Sequence, residues 1–474
     1  MPEITPTPRV IAAKIWTLCN VLRGDGISYN QYISELTYLL FLKIAEENGS
    51  EATLPSGYRW ADLVSYNGSN LLGHYQEMLT HLGSSAESGM VREIYAFPTT
   101  VFSHSENLRV VLDGLNAIKW HQISQDGLGQ IYEALLAKNS EDARSGAGQY
   151  FTPRALVDTI VAVVKPRLGE VIQDPASGTG GFLISADGYL RHSVSPEGYN
   201  ASPPRYEGME IERGTYRLCL MNVFLHNMVA SVSLGDALTQ DSAVLSPADL
   251  ILANPPFGSK FASARAKRPN FSFVTANKQL EFLQHIYRGL KPGGRAAVIL
   301  PDNVLFEEGI GRQVRQELMD LCSLHTILRL PTGIFYAQGV KTNVLFFTRG
   351  HSDKGQTKET WIYDLRSGAP KFGKRTALTI KYFTDFIDRF GDWPTDSVPR
   401  PLDIQSDRFR RFSREEFSAN GDNLDVRWLM EDEGSDELQL LRPEEISALI
   451  LSELRAAIAE VEELHAQFDS SIGQ

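Results

Sequence analysis

Cysteine is scarce in this chain of 474 residues. The cysteines are Cys19, Cys219 and Cys322, which are far apart and odd in number. Such a set argues against a disulfide framework and against a zinc cluster, and it fits a reducing compartment, for which we expect the cytoplasm. The 10 histidines show no spacing that is typical of metal ligands. We therefore predict no metal site.

Long apolar runs are also missing. No stretch of about 18 apolar residues occurs, so we expect no membrane span. The opening segment, MPEITPTPRV, lacks the basic-then-apolar layout of a signal peptide. The sequence contains neither an internal repeat nor a low-complexity tract. These absences exclude the membrane and repeat classes of protein.

Basic residues are outnumbered. The chain has 46 Lys and Arg against 58 Asp and Glu, which gives a formal net charge of -12. A protein that grips DNA by itself usually carries a basic face, because phosphate contacts supply much of the affinity. The acidity argues against an autonomous DNA binder. It leaves room for one basic patch, or for a partner that supplies the grip.

The length predicts two or three domains, and 42% hydrophobic residues are enough for a sizeable core. Residues 9–23 and 32–47 place apolar side chains at helical spacing, and further helical pieces appear near 107–138. Alternating β-branched residues are sparse in this part of the chain. We therefore predict an α-helical domain over residues 1–145.

A different pattern begins near residue 146, where short apolar runs start to alternate with helical stretches. This alternation predicts an α/β fold with a doubly wound, mostly parallel sheet over residues 146–400. Ligands of such sheets bind at the carboxyl ends of the strands. The predicted strands lie at Val171–Asp174, Tyr206–Ile211, Val232–Gly235, Leu250–Ala253, Ala296–Leu300, Thr326–Leu330 and Asn343–Phe347.

The last part, residues 401–474, reads as a tail with one long helix that begins at Pro443. Its apolar residues step by four and three, which is the spacing of a heptad seam. We expect this helix to serve subunit assembly, although packing on the chain's own core is the alternative. The seam consists of Ile450, Leu454, Ala457, Val461, Leu464 and Phe468.

A glycine-rich turn follows the first predicted strand. It reads Asp174-Pro-Ala-Ser177-Gly178-Thr179-Gly180-Gly181-Phe182. Small residues at a strand-to-helix turn let the backbone approach a ligand, and the helix N-terminus offers free N–H groups. The alternative is a tight connecting loop with no ligand.

Two acidic residues follow the next two strands. Glu210, at the end of its strand, could accept hydrogen bonds from ribose hydroxyls, as acids at this position commonly do. Its distance from the glycine turn exceeds the roughly 20 residues of dinucleotide folds, so a solvated Glu remains the alternative. Asp236 could meet an adenine amino group or could be an ordinary turn residue.

The most informative segment is Asn254-Pro255-Pro256-Phe257, directly after an apolar run. Prolines fix the backbone and leave carbonyls aimed outward. An Asn side chain and a Pro carbonyl supply two acceptors for one NH2 group, while Phe supplies a face on which a base can stack. Accepting both amino protons frees the nitrogen lone pair from the ring and makes an exocyclic amine a better nucleophile. The alternative is a loop that closes a buried strand.

Asp174–Phe182 resembles the cofactor motif of amino-methyltransferases, and Asn254–Phe257 resembles their catalytic motif. Upstream, Gly148-Gln149-Tyr150-Phe151-Thr152-Pro153-Arg154 resembles the additional cofactor motif of one class of DNA amino-methyltransferases. With the helical first domain and the C-terminal helix, nearly the whole chain resembles the modification subunit of Type I restriction-modification systems. One departure is Gly180-Gly181, where members often have Ala-Gly.

The resemblance implies an N6-adenine DNA methyltransferase that uses S-adenosyl-L-methionine. Gln149–Arg154 and the glycine turn would surround the cofactor, Glu210 would hold its ribose, and Asp236 its adenine. Asn254, Pro255, Pro256 and Phe257 would form the catalytic motif that holds a flipped adenine. The implied partners are double-stranded DNA and a specificity subunit that carries two modification subunits, with a restriction subunit as a further candidate.

Lys260, Arg265, Lys267 and Arg268 form a basic run just after the catalytic motif. They could contact phosphates beside the flipped base, or they could belong to a solvated loop. Three functional alternatives remain at this stage: an N4-cytosine methyltransferase, a methyltransferase of protein glutamine or RNA, and a scaffold that only binds the cofactor. The intact Asn254–Phe257 motif argues against the scaffold.

Overall fold

The computed structural model describes residues 7–23, 27–120, 123, 125–142, 152–257, 271–335, 340–370, 372, 376, 378–392, 400–426 and 428. Met1–Leu365 and Ala369–Val426 form one compact unit, and Arg366–Gly368 with Arg427–Gln474 form a second. All the helices and strands given below belong to the first unit. The predicted helix from Pro443, with its heptad seam, lies outside the described residues.

The described residues of the first part of the chain are helical. Ser28 and Gln31 close a capping box at the start of the third helix, which satisfies backbone N–H groups there. Leu36 and Leu39 of that helix are fully buried in the apolar core of this part. The helices are α1 (Pro8–Thr17), α2 (Asn20–Arg23), α3 (Tyr29–Glu47), α4 (Trp60–Ser65), α5 (Ser69–Ser85), α6 (Gly89–Ile94), α7 (Ser105–Asn116) and α8 (Gln125–Asp142).

Helices and strands alternate through most of the second part. Helices α12 and α13 are each followed directly or after a short connection by a strand, and α10 and α11 together precede β2, as a parallel sheet requires. The helices are α9 (Arg154–Val164), α10 (Gly181–Ser193), α11 (Pro196–Ala201), α12 (Arg213–Leu225), α13 (Lys278–Gly289), α14 (Asn303–Phe306), α15 (Ile310–Leu321), α16 (Thr384–Phe390) and α17 (Arg414–Ala419). The strands are β1 (Val171–Asp174), β2 (Arg205–Glu210), β3 (Ala230–Leu234), β4 (Ala248–Ala253), β5 (Leu290–Pro301), β6 (Cys322–Leu330), β7 (Thr342–Arg349), β8 (Glu359–Asp364) and β9 (Phe409–Ser413).

The described strands form one nine-stranded sheet in the order β3-β2-β1-β4-β5-β7-β6-β8-β9. Strands β1 to β5 pair in parallel, β7 runs antiparallel between β5 and β6, and β9 is an antiparallel edge. Strands β1 and β4 are neighbours although β2 and β3 follow β1 in sequence. This reversal of strand order opens a crevice at the carboxyl ends of β1 and β4, where ligands of doubly wound sheets bind.

The predicted fold class is confirmed, with a mostly parallel sheet and an N-terminal helical part. The helical part packs directly on the α/β part, because Tyr216, Met221 and Leu225 of α12 belong to its apolar core. The contact is close: a Cβ atom on Gly129 of α8 would lie 2.6 Å from the His226 ring. The domain limits at 145 and 400 stay predictions. No described helix is long and apolar enough to cross a membrane.

Candidate active site

A cavity of about 810 Å³ lies at the carboxyl ends of β1, β2 and β4. It brings together predicted residues from five separate segments of the sequence. Of the predicted residues, those that line it are Thr152, Arg154, Asp174, Ser177, Gly178, Thr179, Gly181, Phe182, Glu210, Asp236, Asn254, Pro256 and Phe257. Pro153, Gly180 and Pro255 belong to the same segments without lining the cavity. Gln149–Phe151 and the basic residues Lys260, Arg265, Lys267 and Arg268 lie outside the described residues.

The glycine turn between β1 and α10 is held by the neighbouring strand. Ser177 donates from both its backbone N–H and its Oγ to the Met209 carbonyl, at 2.9 and 3.0 Å. Gly180 has a φ of +83°, and a Cβ there would lie 2.9 Å from Sγ of Cys219. Glycine is required at this position, because a side chain would be both strained and too close to α12.

Glu210 closes the turn from the other side. Its carboxylate accepts hydrogen bonds from the backbone N–H groups of Gly178, at 3.0 Å, and of Glu212, at 2.8 Å. Burial raises the pKa of the Glu210 carboxyl to about 6. The carboxylate is therefore fixed in position at the cavity wall and ionised at neutral pH.

Asp174, the last residue of β1, is almost completely buried. Burial, with a smaller contribution from the nearby negative charge of Glu210, raises the pKa of Asp174 to about 8. Its Oδ1 accepts a hydrogen bond from the Ala176 backbone N–H at 3.1 Å. Two buried carboxyl groups thus face one cavity, and a positively charged ligand would lower the pKa of both.

Asp236 is half-buried and has a local partner. Its Oδ1 accepts a hydrogen bond from the Leu238 backbone N–H at 3.0 Å, which makes it a turn residue. It also lines the cavity, beside the apolar residues Ala237 and Leu238. The two interpretations from the sequence are therefore compatible, since a turn carboxylate can also face a ligand.

The catalytic segment predicted from the sequence begins directly after β4. The Nδ2 of Asn254 donates to Oγ1 of Thr152 at 3.0 Å. Its Oδ1 is buried and accepts no hydrogen bond from the described residues. An acceptor in this state costs free energy, on the order of 1–3 kcal/mol, until a donor reaches it. Asn254 therefore has an acceptor available for an amine.

The rest of this segment is held by two neighbours. The Pro256 carbonyl accepts a hydrogen bond from Nε2 of Gln279 at 3.0 Å. The Phe257 ring meets the ring of Phe335 edge-on, with centroids 5.9 Å apart and an interplanar angle of 81°. Pro255 is buried, and its ring together with that of Pro256 restricts the backbone of the loop.

Part of the cavity wall was missed from the sequence. Arg154 forms ion pairs with Glu133 of α8 and with Asp158, the latter at 2.9 Å, so the helical part contributes directly to the site. The missed residues lie on helix faces or beside the predicted ones, and no local pattern marks them. They include Gln130, Glu133, Leu136, Ala137, Met209, Ile211, Asn222, Lys278 and Phe282.

Comparisons with known proteins agree with this geometry. Residues 123–437 match the family model described as N-6 DNA Methylase, and residues 11–114 match the HsdM N-terminal domain. The chain is 41% identical, over 508 aligned positions, to the Type I restriction enzyme EcoKI methylase subunit of Escherichia coli K12, with 97% of this chain and 96% of that protein covered. The chain belongs to the Type I restriction-enzyme methylase subunits. The prediction of an N6-adenine DNA methyltransferase subunit is therefore confirmed.

Two further similarities extend over nearly the whole methylase subunit. It is 42% identical to the StySJI methylase subunit of Salmonella typhimurium, with 96% of this chain and 94% of that protein covered. A solved structure of a type I R-M system is 28% identical, with a TM-score of 0.75 and coverage of 98% and 99%. The N-6 DNA Methylase match begins at residue 123 and so includes α8, the helix that carries Glu133. Helix α8 is thus grouped with the methylase by sequence as well as by its place in the cavity wall.

Proposed function

We propose that this methylase subunit transfers the methyl group of S-adenosyl-L-methionine directly to N6 of an adenine that has left the duplex. The observation that carries the proposal is the buried Oδ1 of Asn254, a cavity-lining residue, which accepts no hydrogen bond from the part of the chain that the structure describes. An amino group can satisfy this acceptor, and the reaction class requires an amine held by acceptors. A base has to leave the stack to reach such a site.

The cavity fits the proposed cofactor in size and charge. A volume of about 810 Å³ is in the range of small-molecule sites, and the buried carboxyl groups of Asp174 and Glu210 suit a ligand with positive charge. Glu210 would hold the ribose hydroxyls, and the glycine turn would lie along the ligand. When bound, the cofactor supplies an electrophilic methyl group on a sulfonium. We also propose, from the family resemblance, that Gln149–Arg154 and Asp236 bind the cofactor.

The residues of the catalytic segment orient the amine. Asn254 Oδ1 and the Pro255 carbonyl accept its two protons, and Phe257 stacks on the ring. The Pro255 carbonyl is retained from the predicted motif, and the Pro256 carbonyl accepts a hydrogen bond from Nε2 of Gln279 in the structure. The nitrogen would then attack in line, with a C–N bond forming as the C–S bond breaks, and the excess amino proton would pass to solvent water. No side chain has to act as a nucleophile, and the rate comes mainly from positioning.

Partners complete the proposal. The net charge of -12 makes solitary DNA binding unfavourable, and the sequence contains no segment that resembles a target-recognition domain. We therefore propose that double-stranded DNA is bound in a complex of two methylase subunits with one specificity subunit, which a restriction subunit can join. Lys260, Arg265, Lys267 and Arg268 would contact phosphates next to the flipped adenine.

Asn254→Ala tests the proposed role of the acceptor. In the complex with its specificity subunit, methyl transfer should fall by orders of magnitude while the affinity for S-adenosylmethionine barely changes, because the lost interaction matters mainly in the transition state. Methylation is followed by transfer of labelled methyl groups, and cofactor affinity by calorimetry. Asn420→Ala, the same change at an exposed helix end, is the control. Near-normal methylation by Asn254→Ala would contradict the mechanism.

A further inference from the structure

Thr152 connects two motifs that lie far apart in the sequence. Its Oγ1 is 3.0 Å from Nδ2 of Asn254, which is 102 residues further along the chain. Thr152 also lines the cavity proposed for the cofactor. The resemblance assigns Thr152 to cofactor binding only, whereas its contact in the structure is with the proposed catalytic amide.

A carboxamide has one donor end and one acceptor end, and only one orientation of Asn254 presents an acceptor to an amine. In the structure the hydroxyl of Thr152 accepts from the NH2 group, and the oxygen is the end that has no partner among the described residues. The opposite orientation would offer two N–H donors to the adenine amino group, which would then meet donors instead of acceptors. The orientation of this one amide therefore decides whether the amine can be held.

We propose that Thr152 is a positioning residue that keeps the Asn254 amide turned with its oxygen toward the incoming amine. This inference rests on the proposed function. The hydroxyl proton is not used by Asn254, and it makes no other hydrogen bond with the described residues. It is therefore available to an acceptor bound in the cavity, and such an acceptor would fix the hydroxyl as the hydrogen-bond acceptor of Asn254. Occupation of the cofactor cavity then favours the productive orientation of the catalytic amide.

The test uses Thr152→Val, which keeps the shape of the side chain and removes the hydroxyl, and Thr152→Ser, which keeps the hydroxyl. Both are assayed in the complex with the specificity subunit. We expect the single-turnover methylation rate of Thr152→Val to fall by about 10–100-fold, the effect of one lost hydrogen bond to a group at the reacting centre. Thr152→Ser should stay within about threefold of the wild type.

Two readouts separate positioning from cofactor binding or simple damage. The affinity for S-adenosylhomocysteine, measured by calorimetry, should change by less than about threefold in Thr152→Val. In DNA with 2-aminopurine at the target adenine, the fluorescence gain on adding S-adenosylhomocysteine should be smaller for Thr152→Val than for the wild type. If Thr152→Val does not fold, as judged by circular dichroism, Thr152→Ala replaces it in the same comparison.

A double-mutant cycle shows whether Thr152 acts through Asn254. In an Asn254→Ser background there is no amide to orient, so Thr152→Val should lower the remaining rate by less than about twofold. The proposal is overturned by a wild-type rate for Thr152→Val, by a loss of cofactor affinity as large as the loss of rate, by failure of Thr152→Ser to restore activity, or by additive effects in the cycle. Failure of the proposed function is distinct, since it appears as normal methylation by Asn254→Ala.

Discussion

Asp174 provides the sharpest link between the structure and a measurable quantity. Burial raises the pKa of this carboxyl to about 8, so most molecules of the free protein carry it protonated at pH 7. The proposed cofactor is a cation, and a cation in the cavity favours the ionised carboxylate. Binding should therefore release a proton from Asp174, and the affinity should rise with pH until Asp174 is already ionised in the free protein.

The size of the effect follows from the pKa. At pH 7, one unit below a pKa of about 8, ionising Asp174 costs about 1.4 kcal/mol, or tenfold in affinity. If the carboxyl is ionised in the complex, the affinity should rise about tenfold from pH 7 to pH 9 and then level off, with about 0.9 proton released per cofactor at pH 7. The affinity must rise with pH and not fall, because the free protein holds the proton and the complex does not.

Titration calorimetry in buffers with different ionisation enthalpies counts the released protons. S-adenosylhomocysteine has the same α-amino group as the cofactor, and the pKa of such a free amine is about 7.7–8.0. It lacks the sulfonium charge. It should therefore release fewer protons than S-adenosylmethionine. Asp174→Asn keeps the oxygen that accepts from Ala176 and should remove the difference between the two ligands. An equal proton count for both ligands in the wild type would refute this reasoning.

Two further predictions concern the walls of the same cavity. Glu210→Ala leaves the backbone N–H groups that it holds without an acceptor, so cofactor affinity should weaken by about 1–3 kcal/mol, with Glu210→Gln between it and the wild type in calorimetry. Unchanged affinity in Glu210→Ala would show that this carboxylate does not contact the ligand. Gly208→Ala would place a Cβ 2.6 Å from Oγ of Ser177, so the turn must shift, and we expect a loss of about 1–3 kcal/mol in stability together with weaker cofactor binding. Gly188→Ala in α10 is the control, because the added Cβ meets no atom within 4 Å and the melting temperature should not fall. If the melting temperature falls in both variants, the loss in Gly208→Ala does not come from its contact with the turn.

The strands around the site were predictable because they are buried on both faces. Strands β1 and β4 are almost entirely buried, and such strands read as short apolar runs bounded by turn residues. Strands β8 and β9 were missed for physical reasons. Strand β9 is an edge with Arg410 and Arg411 exposed, and it lacks an apolar run. Strand β8 has only Trp361, Ile362 and Tyr363 as its apolar run, between polar residues.

The core of the candidate site was predictable for a related reason. In a parallel sheet the residues just after the strands meet at one edge, so Asp174, Glu210 and Asn254 could be placed together from their positions alone. The wall from the helical part could not, because the place of Glu133 in the cavity depends on how α8 packs against other helices, among them α12. That packing depends on the absence of a side chain at Gly129, opposite His226. No pattern within α8 reveals which of its faces meets another part of the chain.

The chemistry and the charge of this subunit fit together under the proposed function. The attacking amine needs acceptors around its protons, which Asn254 supplies. The cationic cofactor binds best beside negative charge, which Asp174 and Glu210 supply. A cation beside the reacting centre would oppose both requirements. The cations that bind the DNA phosphates must then lie outside the acid-lined part of the cavity. They come either from the basic run after Phe257 or from a partner subunit. A net charge of -12 is therefore compatible with a DNA methyltransferase in which catalysis and DNA binding use different surfaces.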